Sequence, residues 1–150
     1  MRPIKFRGRA LHPDRKGEWL YGNIIKLQLD EERGPRYYIA PQNDVEPYLE
    51  GGESLVSDWD EVDPVTVGQL AGLPDKNGKE IYEGDILYRC TEIKDMNLEF
   101  KNYVEWIPDS TCFGLKPSTP YAFTDLTTER GLTLEVIGDI HSNPELLTTP

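Results

Sequence analysis

Two cysteines, two histidines and two methionines are nearly all the soft-ligand and imidazole chemistry that this 150-residue chain offers. His12 and His141 stand at opposite ends, so no spacing fits a zinc knuckle or a His-Glu-x-x-His helix. No metal or cofactor is expected. Cys90 and Cys112 read first as small, half-buried apolar residues in a reducing compartment. A disulfide, a redox role or a Cys90/Cys112/His141 metal site are the lesser alternatives. No apolar run reaches the ~18 residues of a membrane span. Met1-Arg2-Pro3-Ile4-Lys5-Phe6-Arg7 lacks the apolar core of a signal peptide, so a cytoplasmic, soluble protein is expected. A glycine-rich phosphate loop is missing too, since Gly51-Gly52 lies among acids that would repel phosphate. Ser54, Ser57, Ser110, Ser118 and Ser142 have no nucleophile-elbow context. Nothing here assembles a catalytic set, and an enzyme is not expected.

What is present points to a small β protein. Twelve prolines and thirteen glycines imply short elements and many turns, which disfavours a helical bundle. Apolar residues make up 37%, too many for a disordered chain of this size. The net charge of -11 argues against a generic binder of phosphate backbones. That charge is uneven: residues 1–40 carry +4 and residues 41–150 carry -15. Between Asp44 and Asp63 eight acids occur with no base. They read as a solvated loop, or as a partner for the basic N-terminal part within or between chains.

The periodicity is mostly extended. Ile4–Arg7 alternates apolar and basic residues, as a half-buried strand does. Residues 18–29 form one bent strand or two around Gly22 and Asn23, and with Arg36–Ala40 they read as a hairpin. Residues 41–61 read as a loop with at most a short strand at Leu55-Val56. Val62–Val67, broken by Pro64, suits an edge strand or a strand start. Asn77-Gly78 predicts a hairpin with a type I′ turn, in which both residues take positive φ. Glu83-Gly84-Asp85 is a second tight turn leading into Ile86–Cys90. Phe100–Trp106 and Cys112–Leu115 are strands separated by Pro108-Asp109-Ser110. Tyr121–Arg130 predicts a short helix closed by Gly131, and Leu134–Ile140 a last strand. Ser142–Leu147 predicts a capped terminal turn with Pro144 at its first position.

One set of residues resembles a known family. Gly72-Leu73-Pro74-Asp75-Lys76-Asn77-Gly78-Lys79-Glu80-Ile81-Tyr82-Glu83-Gly84-Asp85-Ile86 is similar to the TGLKDKNGKEIYEGDIV signature of YopX-like phage and prophage proteins, departing at Ala71 and Pro74. Ile4–Arg7 resembles the family's opening strand and Val104-Glu105-Trp106 its VxW strand. Val136–Ile140 and Asn143–Leu147 resemble its closing VIGNIYENPELL. Residues 10–66 and 91–133 match more loosely. The resemblance implies a mainly β fold: an SH3-like β-barrel at residues 61–150 and a small additional N-terminal β subdomain, with its acidic loop, at 1–60. It also implies a tendency to oligomerise and brings no catalytic residues.

The signature has a structural and a functional reading. Structurally, Asn77-Gly78 sets a hairpin register, Asp85 binds local amides, Ile81 and Ile86 are buried, and the ring of Tyr82 packs while its hydroxyl reaches solvent. Functionally, Lys76, Lys79, Glu80, Tyr82, Glu83 and Asp85 could form a binding surface at a hairpin tip. Trp59, set among Asp58, Asp60 and Glu61, reads as a latch or a binding anchor. Lys5, Arg7 and Arg9, with Phe6 and Trp19 as stacking groups, are the candidates for nucleic-acid binding. The expected function is a non-enzymatic, homo-oligomeric accessory or adaptor protein binding a host or phage protein. A nucleic-acid module ranks second and a phage-encoded enzyme third. Nucleic acid is not the expected partner, and no membrane partner is expected.

Overall fold

A computed structural model describes residues 3–28, 34–40, 59–93, 96–117, 124–125 and 134–148. The chain divides into two compact units, Met1–Gln69 and Leu70–Pro150. The division falls later than the 60/61 boundary read from the sequence, because the strand that opens at Asp60 pairs into the first unit.

The first unit is antiparallel: β1 (Phe6–Arg9), β2 (Trp19–Leu27), β3 (Arg36–Ala40) and β4 (Asp60–Val62) pair in succession. β2 is a single nine-residue strand and forms the expected hairpin with β3. Ala10 bridges Val62, Leu11 N–H donates to the Glu61 carbonyl and Asp63 N–H to that of Arg9. The sheet therefore curls until its last strand meets the end of its first. Ala10, Leu20, Ile39 and Val62 fill the space enclosed, flanked by Phe6, Ile24, Tyr37 and Val67. The curl is tight at Gly8, where a Cβ would lie 2.9 Å from Val62 Cβ and Cγ2. After β4 the chain makes a 3-10 turn, Pro64–Thr66, instead of continuing as a strand. Asp63 caps that turn by accepting the Val65 amide, and Thr66 Oγ1 accepts the Arg9 amide. β5 (Gly68–Pro74) starts beside β1 and then enters the second unit.

In the second unit, β6 (Glu80–Tyr82) pairs with the later part of β5. β7 (Asp85–Ile93), β8 (Met96–Ile107), β9 (Cys112–Pro117), β10 (Thr124–Asp125) and β11 (Leu134–Asp139) form a five-stranded antiparallel sheet. Its order is β10-β9-β8-β7-β11, so among the described residues β10 and β11 are edges and no pairing closes it. Ala71 and Ile81, from the β5–β6 hairpin, pack with Leu87, Val104, Phe113, Leu115 and Leu134. Trp106 and Phe113 meet edge to face at 5.1 Å.

The expected all-β character holds: among the described residues the only helical elements are 3-10 turns. Thr124 and Asp125 pair with Leu115 and Gly114 as a strand, which corrects the helix expected over Tyr121–Arg130 at those two positions; the others lie outside the described residues. Leu55-Val56 also lies outside them. Pro144–Leu147 is a 3-10 turn with Pro144 at its first position, but Asn143 makes no side-chain cap bond. The Asn143 side chain lies against Gly138, where a Cβ would come 2.6 Å from Asn143 Oδ1.

Candidate functional site

Asp75 organises the signature. It lies just after β5, buried to 5% exposure, and its Oδ1 accepts the amides of Asn77 at 2.8 Å and Lys79 at 2.9 Å. Its Oδ2 accepts the Val136 amide of β11 at 3.1 Å. Lys76 N–H donates to the Leu134 carbonyl, so the hairpin tip is fastened twice to that edge strand. Gly78 N–H donates to the Asp75 carbonyl, and Gly78 alone takes positive φ, at 82°. The turn is thus not type I′, in which Asn77 would also need positive φ. The Asp75 carboxylate supplies a local acceptor that holds a wider turn with one left-handed glycine. Burial opposes ionisation of Asp75, but the three amides and the nearby Lys79 outweigh it and hold the carboxyl below its usual range.

A second carboxylate repeats the device. Asp85, 1% exposed, accepts the Tyr82 amide at 2.8 Å across the Glu83-Gly84 turn, as its sequence context predicts. Tyr82 is 2% exposed and its hydroxyl donates to Glu80 at 2.7 Å, which corrects the expectation of a hydroxyl in solvent. Sequence reasoning missed a third carboxylate, Asp139. Its Oδ1 accepts the amides of His141 and Ser142, and its Oδ2 accepts the Ser142 hydroxyl at 2.6 Å. Its position just before Ser142-Asn143-Pro144 is the sequence signal for such a turn.

Of the proposed binding residues, Tyr82 and Asp85 are therefore interior. Lys76, Lys79 and Glu80 are exposed and Glu83 is half-buried. Lys76 pairs with Glu135 at 2.6 Å, and Glu83 accepts the Trp106 amide at 3.3 Å. An exposed pair such as Lys76–Glu135 is worth little. Lys76→Ala should therefore change urea-unfolding stability by less than about 1 kcal/mol.

The candidate basic residues Lys5, Arg7 and Arg9 share one face at β1. Arg9 lies opposite Trp19 and Arg7 opposite Tyr21, and strand alternation places Lys5 on the same face. The guanidinium carbons of Arg7 and Arg9 lie 4.4 and 5.0 Å from the centroid of the Trp19 ring, and Lys5 Nζ lies 5.8 Å from that of Tyr21. Arg7 is buried at 5% exposure, which takes it out of reach of a flat ligand. Basic residues of the N-terminal part do meet the acidic stretch within the chain: Arg15 pairs with Asp60 at 2.6 Å and Arg36 with Glu61 at 3.6 Å. Arg15 also binds Glu18 at 2.9 Å, a hydrogen bond that lowers the Glu18 carboxyl below its usual range. Trp59 is half-buried just before β4. His12 and His141 fall in different units, and Cys112 is a free, half-buried thiol.

A family profile described as YopX protein matches residues 13–148. The chain belongs to the YopX family. The YopX signature is, in this member, the segment built around Asp75 and Asp85. No curated protein matches the sequence. Among solved structures, the crystal structure of protein EF1440 from Enterococcus faecalis is similar, with a TM-score of 0.53 and 24% identity over 98% of this chain and 99% of that one. That likeness concerns the fold alone.

Proposed function

We propose that this YopX protein is a non-enzymatic, homo-oligomeric accessory or adaptor protein, encoded by a phage or prophage, that binds other proteins in the bacterial cytoplasm. One observation carries the non-enzymatic part. The carboxylates of Asp75, Asp85 and Asp139 all accept backbone amides, so the chain's most distinctive acids are spent on architecture. A general base must instead keep its acceptor free for a substrate proton. The second unit is read as an SH3-like barrel, a reading supported by a hairpin packed over a sheet in which the β7–β10 meander is extended by β11 beside β7. Exposed apolar side chains on the first unit, Leu11, Tyr21 and Val65, supply contact area for a protein partner, with Trp59 beside β4 as a further anchor.

The test combines sedimentation velocity across a concentration series with oligonucleotide titration at low salt. Self-association with no oligonucleotide binding is the expected result. Salt-dependent oligonucleotide binding that is lost on reversing Lys5 and Arg9 to glutamate would overturn it in favour of the nucleic-acid reading. Contacts between exposed charges of neighbouring chains would weaken at 1 M salt, where the screening length falls to ~3 Å. A salt-independent profile would assign self-association to apolar contact.

A further inference from the structure

We propose that Asn77 is a deamidation site that the folded hairpin protects, and that isoaspartate formed there unfastens the hairpin from β11. Asn77-Gly78 is the only Asn-Gly dipeptide in the chain, and both residues are exposed at the tip. In deamidation the backbone nitrogen of the following residue loses its proton and attacks the asparagine Cγ. A Gly78 N–Cγ bond forms, the Cγ–Nδ2 bond breaks, and ammonia leaves with the proton. Water then opens the succinimide at either carbonyl, giving aspartate or isoaspartate. Glycine presents no side chain to hinder the ring closure.

The fold opposes the first step at the attacking atom. Gly78 N–H already donates to the Asp75 carbonyl at 3.0 Å. The amides on either side, those of Asn77 and Lys79, are both held by Asp75 Oδ1. Ring closure must therefore break the Gly78 bond, in a turn whose flanking amides are both anchored to the same Asp75. If the chain does react, the two products differ. Aspartate keeps the backbone length and the turn. Isoaspartate inserts a methylene between the Asn77 and Lys79 amides, so both can no longer reach one oxygen. Losing that grip also releases Asp75 from Val136, the tie to β11.

The experiment ages the full-length protein at mildly alkaline pH, folded and in urea, and follows residue 77 by peptide mapping with isoaspartyl-specific methylation. The folded chain should deamidate at Asn77 at least about tenfold more slowly than the unfolded one, because the turn must open first. Asp75→Asn should move the folded rate towards the unfolded one. The deamidated fraction, separated from unreacted chain by its added charge and scored for isoaspartate by methylation, should melt lower than the Asn77→Asp variant as its isoaspartyl share rises. Equal rates folded and unfolded would overturn the protection, a comparison that needs no variant to fold. Equal melting of the deamidated fraction and Asn77→Asp, whatever the isoaspartyl share, would overturn the unfastening.

Discussion

Asp75→Ala should lower the unfolding free energy by about 3–4 kcal/mol. A hydrogen bond to a charged group contributes about 1.5–3 kcal/mol, and Asp75 makes three. They share one carboxylate and do not add in full. Two of the released amides, at Asn77 and Lys79, belong to exposed residues and can turn to water, whereas that of Val136 belongs to a half-buried strand. Asp75→Asn keeps an acceptor but loses the charge and faces an amide donor with its own NH2, so a smaller loss is expected. Urea unfolding at neutral pH measures both; a loss below about 1 kcal/mol for the alanine variant would mean that the turn does not depend on this carboxylate.

The same residue fixes a pH dependence. Its folded-state pKa is lowered, so the unfolded chain binds the proton more readily. Its contribution is complete above the unfolded value near ~3.9 and is lost as pH falls through the folded value. Asp75→Asn should therefore flatten the stability profile on the acid side. An unchanged slope there would contradict the assignment.

Gly8→Ala should cost about 1–3 kcal/mol, the usual range for an extra methyl forced into a full core. The methyl would meet Val62, itself 1% exposed, where the first unit's sheet curls onto its own first strand. Val62 is β-branched and cannot swing both methyls away. The clash predicts its own rescue. In a Val62→Gly background, which removes the Cβ as well as both methyls, Gly8→Ala should cost clearly less, with a coupling of about 1 kcal/mol or more. Strict additivity of the two losses would show that the strands do not approach as described.

Much of this architecture was legible because local chemistry and tertiary structure agree. The β2–β3 hairpin, the strands either side of Pro108–Ser110 and the turn before Asp85 all follow from alternation and turn residues. The hairpin at Asn77-Gly78 was placed correctly but given the wrong turn. The dipeptide rule concerns φ, whereas a carboxylate two residues earlier decides the outcome. Three facts were not local at all. Ala10 meets Val62 and Asp75 reaches Val136, both across long stretches of chain. Thr124-Asp125 pairs with β9, a partner that the local sequence pattern does not name. As for the site, the signature's exposed lysines and its interior Asp85 and Tyr82 look alike in sequence, all being polar residues beside turns. Burial alone separates them.

Native-state hydrogen exchange at four amides tests the central claim, that the YopX signature is a fastening device. Asn77, Lys79, Tyr82 and Val136 donate to Asp75 or Asp85. Asn77 and Lys79 lie at an exposed tip and Val136 on an edge strand, places where unbonded amides exchange freely. All four should be protected together, and Asp75→Asn should release those of Asn77, Lys79 and Val136 while leaving that of Tyr82 slow. Exchange of Asn77 and Lys79 at the unfolded-chain rate in the wild-type protein would contradict the account and return the hairpin tip to the status of an open binding loop.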